Sequence, residues 1–140
     1  MTTLNTEHLQ RCIETLDQSF RLLNQEKPTS VAYEIFRNAT IKGYELTLET
    51  AGKLLRKSLK PYFATAKEVD QLIFKDLFRY ANKHGLLTPE ETKRWFAYRD
   101  NRNNTAHDYG IGLAEETLTL LPAFLEDVKQ LKGRLDHAKT

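Results

Sequence analysis

Thr88-Pro-Glu-Glu-Thr-Lys-Arg-Trp-Phe-Ala-Tyr98-Arg-Asp-Asn-Arg-Asn-Asn-Thr-Ala-His-Asp-Tyr109-Gly-Ile-Gly112 is a helix written with its own start and stop signals. Thr88 is an N-cap, Pro89 suits the first helical position, and Glu91 places an acid at the third. Trp95, Phe96 and Tyr98 supply a hydrophobic body, and the glycines predict an end near Gly110-Ile111-Gly112. From Tyr98 to Tyr109 the composition changes: amides, carboxylates, two arginines, a histidine and two tyrosines crowd together. Short amides compete for the backbone and are unfavourable inside a helix, so this density points to a site presented by a helical scaffold. The plainer alternative is an Asn-rich helix end with a solvated histidine and a core tyrosine.

The rest of the chain reads as that scaffold. Residues 5–23 carry Leu9, Cys12, Ile13, Leu16, Phe20 and Leu23 at steps of three and four, one buried helix face, with Asn5 or Thr6 as N-cap and Pro28 beyond the end. A long helix is predicted from about Ser30 to Lys60 through Val31, Ile35, Ala39, Leu46, Leu54, Leu55 and Leu59, ended by Pro61. Gly43 and Gly52 interrupt it, each costing about 1 kcal/mol against Ala, so each should permit a close crossing or a bend. Nothing in this helix groups as catalytic residues. Thr65-Ala66-Lys67-Glu68 is a capping box opening a third helix through Val69, Leu72, Ile73, Leu77 and Tyr80, closed by Lys83-His84-Gly85. After Gly112, Leu118, Leu121, Leu125, Val128 and Leu131 keep a helical spacing to about Arg134, with Pro122 predicting a kink or two shorter helices, and a frayed tail follows. Four or five helices with short connections predict an all-α, antiparallel up-and-down bundle, residues 1–140 forming a single domain.

Bulk properties narrow the function. At 140 residues and 40% hydrophobic, the chain can bury a core, and a net charge of +2 provides no global field for nucleic acid, leaving only a local basic cleft or two copies facing each other. The lone Cys12 cannot form an intramolecular disulfide or a cysteine-based zinc site, which fits a reducing cytoplasm. No secretory signal is visible, and no apolar run approaches the ~18 residues of a membrane helix. The four histidines His8, His84, His107 and His137 lack metal-ligand spacing, so no metal and no cofactor are expected. His8 and His137 read as surface residues.

Arginine and histidine separated by four intervening residues occur twice, Arg79…His84 and Arg102…His107. With nine arginines and four histidines, such a match arises by chance about 0.3 times per chain, so the spacing alone is weak. His84 is already explained as the cation before a terminal glycine. The second pair is set among Asn101, Asn103, Asn104 and Asp108, with Tyr109 two places beyond the histidine. On a straight helix Arg102 and His107 lie ~140° apart around the axis, whereas Arg99, Asn103 and His107 share a face. The pair therefore predicts a bend, a second subunit, or both.

Arg102-Asn103-Asn104-Thr105-Ala106-His107-Asp108-Tyr109 resembles the Arg-x4-His-x-Tyr motif of HEPN-domain proteins. It is most similar to small stand-alone members paired with a minimal nucleotidyltransferase, the HEPN/MNT toxin–antitoxin systems, some of which are also described as nucleotidyltransferase substrate-binding proteins. The helix ending at Lys60-Pro61, the Thr65 capping box and Leu121-Pro122-Ala123-Phe124 extend the likeness over roughly residues 5–132. The resemblance implies a homodimer that brings two motifs into one cleft, acting as a metal-independent ribonuclease on tRNA or mRNA. It implies Arg102 and His107 as catalytic residues, with Asn103 orienting the phosphate or the histidine, and Arg99 and Asn104 gripping adjoining phosphates. It also implies Tyr109 as the position where the cognate minimal nucleotidyltransferase adds AMP (AMPylation) to silence the toxin. The alternative within the same likeness is a non-catalytic substrate-binding subunit of that enzyme.

Overall fold

Four long helices alternate in direction, and two short ones bridge the second to the third of them. They are α1 (Glu7–Asn24), α2 (Val31–Leu59), α3 (Ala66–Asp70), α4 (Phe74–Lys83), α5 (Pro89–His107) and α6 (Ile111–His137), with a 3₁₀ turn at Lys60–Tyr62. The computed structural model describes residues 4–107 and 111–137, and side chains for 4–104 and 112–137. The all-α, up-and-down expectation holds. Cys12 meets Thr50 across α1 and α2, Arg94 meets Asp127 across α5 and α6, and Tyr33 meets Glu115 across α2 and α6. Together with Gly43 beside Leu16, Arg134 on Glu91 and Tyr44 against Phe124, those pairs make α1 and α2 antiparallel, α5 and α6 antiparallel, and α2 and α6 parallel.

The core gathers Leu9, Ile13 and Leu16 of α1, Tyr44, Leu48 and Leu55 of α2, Phe78 of α4, Trp95 and Tyr98 of α5, and Phe124 and Val128 of α6. Trp95 stacks on Phe78 with centroids 5.0 Å apart and meets Tyr98 and Phe124 edge-on at 5.5 and 5.6 Å. Each such aromatic pair adds about 1 kcal/mol beyond its buried area, so Trp95 is the joint that fixes α5 against α4 and α6.

Helix punctuation follows the sequence in most places. Ser30 Oγ accepts the Tyr33 amide at 3.0 Å, Thr88 and Glu91 form a reciprocal capping box at 2.9 and 3.1 Å, and Gly85 (φ +81°) follows the end of α4. At α1 it is Asn5 Oδ1 that accepts the Glu7 amide at 2.9 Å, because the Thr6 hydroxyl donates to Asp136 of α6 instead. Helix α2 runs unbroken through both glycines. A Cβ on Gly43 would stand 3.4 Å from Leu16 Cδ1, and one on Gly52 3.3 Å from Phe74, so both mark close crossings.

Two expectations change and a third narrows. The third predicted helix is two, α3 and α4, separated at residues 71–73. Arg56 of α2 holds the break: its Nη1 donates to the carbonyls of Val69 and Leu72 at 2.5 and 3.1 Å, while the Val69 carbonyl closes a tight turn by accepting the Leu72 amide at 3.1 Å. Helix α6 is one element containing Pro122, which excludes two separate helices and leaves the kink as the remaining expectation there. In α2, Val31, Ile35 and Leu46 are 72%, 59% and 46% exposed, while Thr40, Tyr44, Thr47 and Leu48 face the core. The long helix is sided by what packs on it, not by its most apolar stripe.

Candidate functional site

Helix α5 is held to α6 by a row of polar contacts that starts at its cap. Glu91 Oε1 accepts from Arg134 Nη1 at 2.6 Å, and the same nitrogen reaches the Leu86 carbonyl at 2.9 Å. One turn on, Arg94 clasps Asp127 through Nε and Nη2 at 2.7 and 2.8 Å, and the Tyr98 hydroxyl donates to the same carboxylate at 2.6 Å. Next, Asn101 Oδ1 accepts from the Thr117 hydroxyl at 2.9 Å. Positions 91, 94, 98 and 101 advance by three and four, so one face of α5 is committed to α6.

The electrostatics fit this burial. Hydrogen bonding to Asp127 raises Arg94 above its ordinary value. Tyr98 is raised by burial and then by its bond to Asp127. Burial alone would raise Glu91, but the Arg134 and Thr88 hydrogen bonds outweigh it and hold the carboxyl below its usual 4.5.

With that face fixed, rotation decides where the next residues point. Arg102 follows Asn101 by about 100° around the axis, and Arg99, three residues earlier, lies within about 60° of it. Both line an open cleft of about 340 Å³ between α2, α4 and α5. Arg99 lays its guanidinium over the Phe74 ring, 4.8 Å from the centroid. Beneath Arg102, the Tyr44 hydroxyl donates to the Tyr98 carbonyl at 2.8 Å, one turn upstream on α5. Burial raises the Tyr44 phenol well above its ordinary range, and the positive charge of Arg102 opposes that rise. Across the cleft, α2 contributes Glu45, Glu49, Lys53 and Arg56, giving four cations against two carboxylates once Arg99 and Arg102 are counted. Lys53 Nζ lies 3.4 Å from Glu49, both side chains largely exposed.

The cleft thus brings together two of the predicted residues, Arg99 and Arg102. Asn103 and Asn104 are exposed on the adjoining turn. His107 is the last residue of α5, in the same helix as Arg102, and its side chain lies outside the described residues. Tyr109 lies outside them altogether. Asn101, one of the amides that marked the segment, is buried and spent on Thr117. Arg79 and His84, the duplicate spacing, go separate ways: Arg79 pairs with Asp76 at 2.6 Å, and His84 stacks on Tyr62 at 3.7 Å. Lys53 and Arg56 were not singled out in the sequence. The available signal was Glu49, Gly52, Lys53 and Arg56 sharing one helix face around a glycine. Among the described residues no group of three or more His, Cys, Asp or Glu could hold a metal ion, and no helix is long and apolar enough to cross a membrane.

Fold and cleft together define a HEPN-like helical bundle of the kind associated with nucleotidyltransferases. The chain belongs to the family of nucleotidyltransferase substrate binding protein like proteins, which it matches over residues 4–137. It is 26% identical over 110 residues to a probable ribonuclease HepT of Haemophilus influenzae, covering 76% of this chain and 74% of that protein. Its fold is that of HI0074 from Haemophilus influenzae, described as a substrate binding domain of a nucleotidyltransferase, with a TM-score of 0.80 at 23% identity over 94% of this chain and 98% of that one. A Thermus thermophilus protein, ttk003001694, superposes with a TM-score of 0.72 at 28% identity, over 91% of this chain and 98% of the other.

Proposed function

We propose that this protein is a metal-independent RNA endonuclease, the toxin of a toxin–antitoxin pair, in which Arg102 and His107 carry the reaction. The observation that supports it is the shared face of Arg99 and Arg102 in a cation-rich cleft, immediately before His107. Kinship with a probable ribonuclease points the same way.

RNA carries its own nucleophile, so the protein has only to move protons and stabilise charge. A neutral imidazole takes the proton from a 2′-hydroxyl, the O2′–P bond forms as the P–O5′ bond breaks, and a protonated imidazole returns a proton to the departing 5′-oxygen. The products are a 2′,3′-cyclic phosphate and a 5′-hydroxyl. A histidine near its reference pKa of about 6.5 serves both roles. Arg102 holds the scissile phosphate and neutralises the charge that grows on it, Asn103 orients it, and Arg99 and Asn104 grip neighbouring phosphates. On an ideal helix positions 102 and 107 differ by about 140° around the axis, a poor match for a single phosphate held by one copy. A cytoplasmic homodimer that brings two motifs together solves this, one imidazole acting as base and the other as acid.

The substrate in this reading is tRNA or mRNA, and the partner is a cognate minimal nucleotidyltransferase that transfers AMP to Tyr109. The added phosphate and adenosine would put negative charge and bulk where the RNA backbone must lie. The test is cleavage of total RNA by purified protein, with Arg102→Ala and His107→Ala each expected to abolish it. Unchanged cleavage by His107→Ala overturns the catalytic assignment. Mass spectrometry after coexpression with the partner checks for AMP on Tyr109.

A second reading draws on the family's own description: a non-catalytic subunit that presents substrate to the nucleotidyltransferase. It expects a stable complex with that enzyme and no RNA degradation.

A further inference from the structure

We propose that the wall of the cleft built by α2 and α4 is a subsite for the nucleotide flanking the scissile phosphate, with Lys53 and Arg56 as its phosphate-binding cations. The proposal rests on the ribonuclease reading for the identity of the strand. It places substrate on a helix in which the sequence alone grouped no catalytic residues.

The physical case begins with Arg56. Its Nη1 is fixed from behind by the Val69 and Leu72 carbonyls at 2.5 and 3.1 Å, so the guanidinium is held in place before any ligand arrives. Among the described residues neither Nε nor Nη2 of Arg56 has a protein hydrogen-bond acceptor. A planar fork anchored at one nitrogen, with others left for an anion, is an arrangement suited to a phosphodiester. Lys53 stands one turn back on the same helix face, and Gly52 beside it carries no side chain.

That gap lets the Phe74 ring edge come within 3.3 Å of where a Cβ would stand, and the ring also stacks on Phe78 with centroids 4.5 Å apart and carries the Arg99 guanidinium 4.8 Å from its own. A cation-rich groove with a ring-backed guanidinium in its wall is chemistry that follows a phosphate backbone without reading its sequence. A volume of about 340 Å³ falls within the range of sites for small organic ligands such as one nucleotide. Because Arg102 lines the same cleft, a phosphate held by Arg102 and one held by Lys53 and Arg56 belong to one continuous strand.

Glu49 supplies an internal control. It lies 3.4 Å from Lys53, and both side chains are more than half exposed, so either can be changed at little cost to the fold. If the subsite takes a phosphate, Glu49 opposes binding and Lys53 favours it.

The test is the steady-state cleavage of single-stranded RNA by full-length protein across a salt series. Lys53→Glu is expected to raise KM about three- to fivefold, and Glu49→Gln to lower it by a similar factor. Losing one phosphate contact should also flatten the salt dependence of binding by about 0.7 in the log–log slope. Arg11→Glu, a charge reversal at a 78% exposed position of α1, should change neither quantity.

Opposite shifts from Lys53→Glu and Glu49→Gln, with Arg11→Glu silent, support the subsite. Wild-type cleavage with no shift, or with both shifts in one direction, overturns it and leaves the ribonuclease reading standing. If the wild type cuts no RNA, that reading falls, and fluorescence anisotropy of labelled single-stranded RNA on the same variants decides the subsite by the same signs. ATP is the competing source of phosphate: charge-dependent shifts for ATP with none for RNA overturn the proposal.

Discussion

Asp127 joins α5 to α6 at the point where the arginine face of α5 is set, and replacing it tests how that register is held. The carboxylate is 3% exposed and accepts three hydrogen bonds: two from Arg94 at 2.7 and 2.8 Å, and one from the Tyr98 hydroxyl at 2.6 Å. In Asp127→Ala the two donors lose unequal amounts. The Arg94 side chain is 45% exposed and regains water, so its share is discounted to about 1 kcal/mol. The Tyr98 hydroxyl is buried and is left without its acceptor, at a cost of about 2 kcal/mol. The sum is about 3 kcal/mol. At about 0.3 kcal/mol per kelvin for a chain of this length, that lowers Tm by about 10 °C.

Tyr98→Phe should cost only about 1 kcal/mol, because Asp127 keeps Arg94. Once Asp127 is gone, removing the Tyr98 hydroxyl should cost nothing further and should recover part of the loss. The double variant is then less destabilised than the sum of the singles by about 1–2 kcal/mol. Urea unfolding followed by far-ultraviolet circular dichroism measures all three. A loss below 1 kcal/mol for Asp127→Ala, or strict additivity in the double variant, refutes the argument.

Acid sensitivity should trace in part to Glu91. Its folded pKa is held below 4.5, so its contribution is complete above that value and is lost as pH falls through the folded pKa. Glu91→Gln should therefore flatten the stability curve below about pH 5 while leaving its shape between pH 6 and 8 unchanged, as read by urea midpoints across pH. Two glycine substitutions should act with opposite signs. Gly85→Ala places a side chain at φ +81°, where nothing crowds it, and should cost about 1 kcal/mol from backbone conformation alone. Gly133→Ala, inside α6 and also uncrowded, should stabilise by about 0.5–1 kcal/mol, both measured as shifts in the urea midpoint.

Local chemistry was legible where the decision is local. Thr88, Pro89 and Glu91 announce the start of α5, Ser30 that of α2, and Lys83-His84-Gly85 the end of α4, because caps and glycine ends depend on neighbours a few residues away. The crossings at Gly43 and Gly52 were visible as helix-breaking residues that a long helix nevertheless keeps. The break between α3 and α4 was not visible, since the side chain that holds it is Arg56, a residue 13 and 16 positions away from the carbonyls it bonds. Nor was the sidedness of α2. Val31, Ile35 and Leu46 are apolar, yet the face carrying Thr40, Tyr44 and Thr47 is the one its neighbours cover.

The candidate site divides in the same way. The sequence by itself determined an all-α chain and the polar segment ending α5, because helix signals and composition are properties of short stretches. Only the tertiary structure decided which of those polar residues point where. Asn101 turns to Thr117 because the contacts of Glu91, Arg94 and Tyr98 fix the rotation of α5, and that same rotation carries Arg99 and Arg102 into the cleft. Lys53 and Arg56 join them from a helix more than 40 residues earlier in the chain, a meeting that no local spacing encodes.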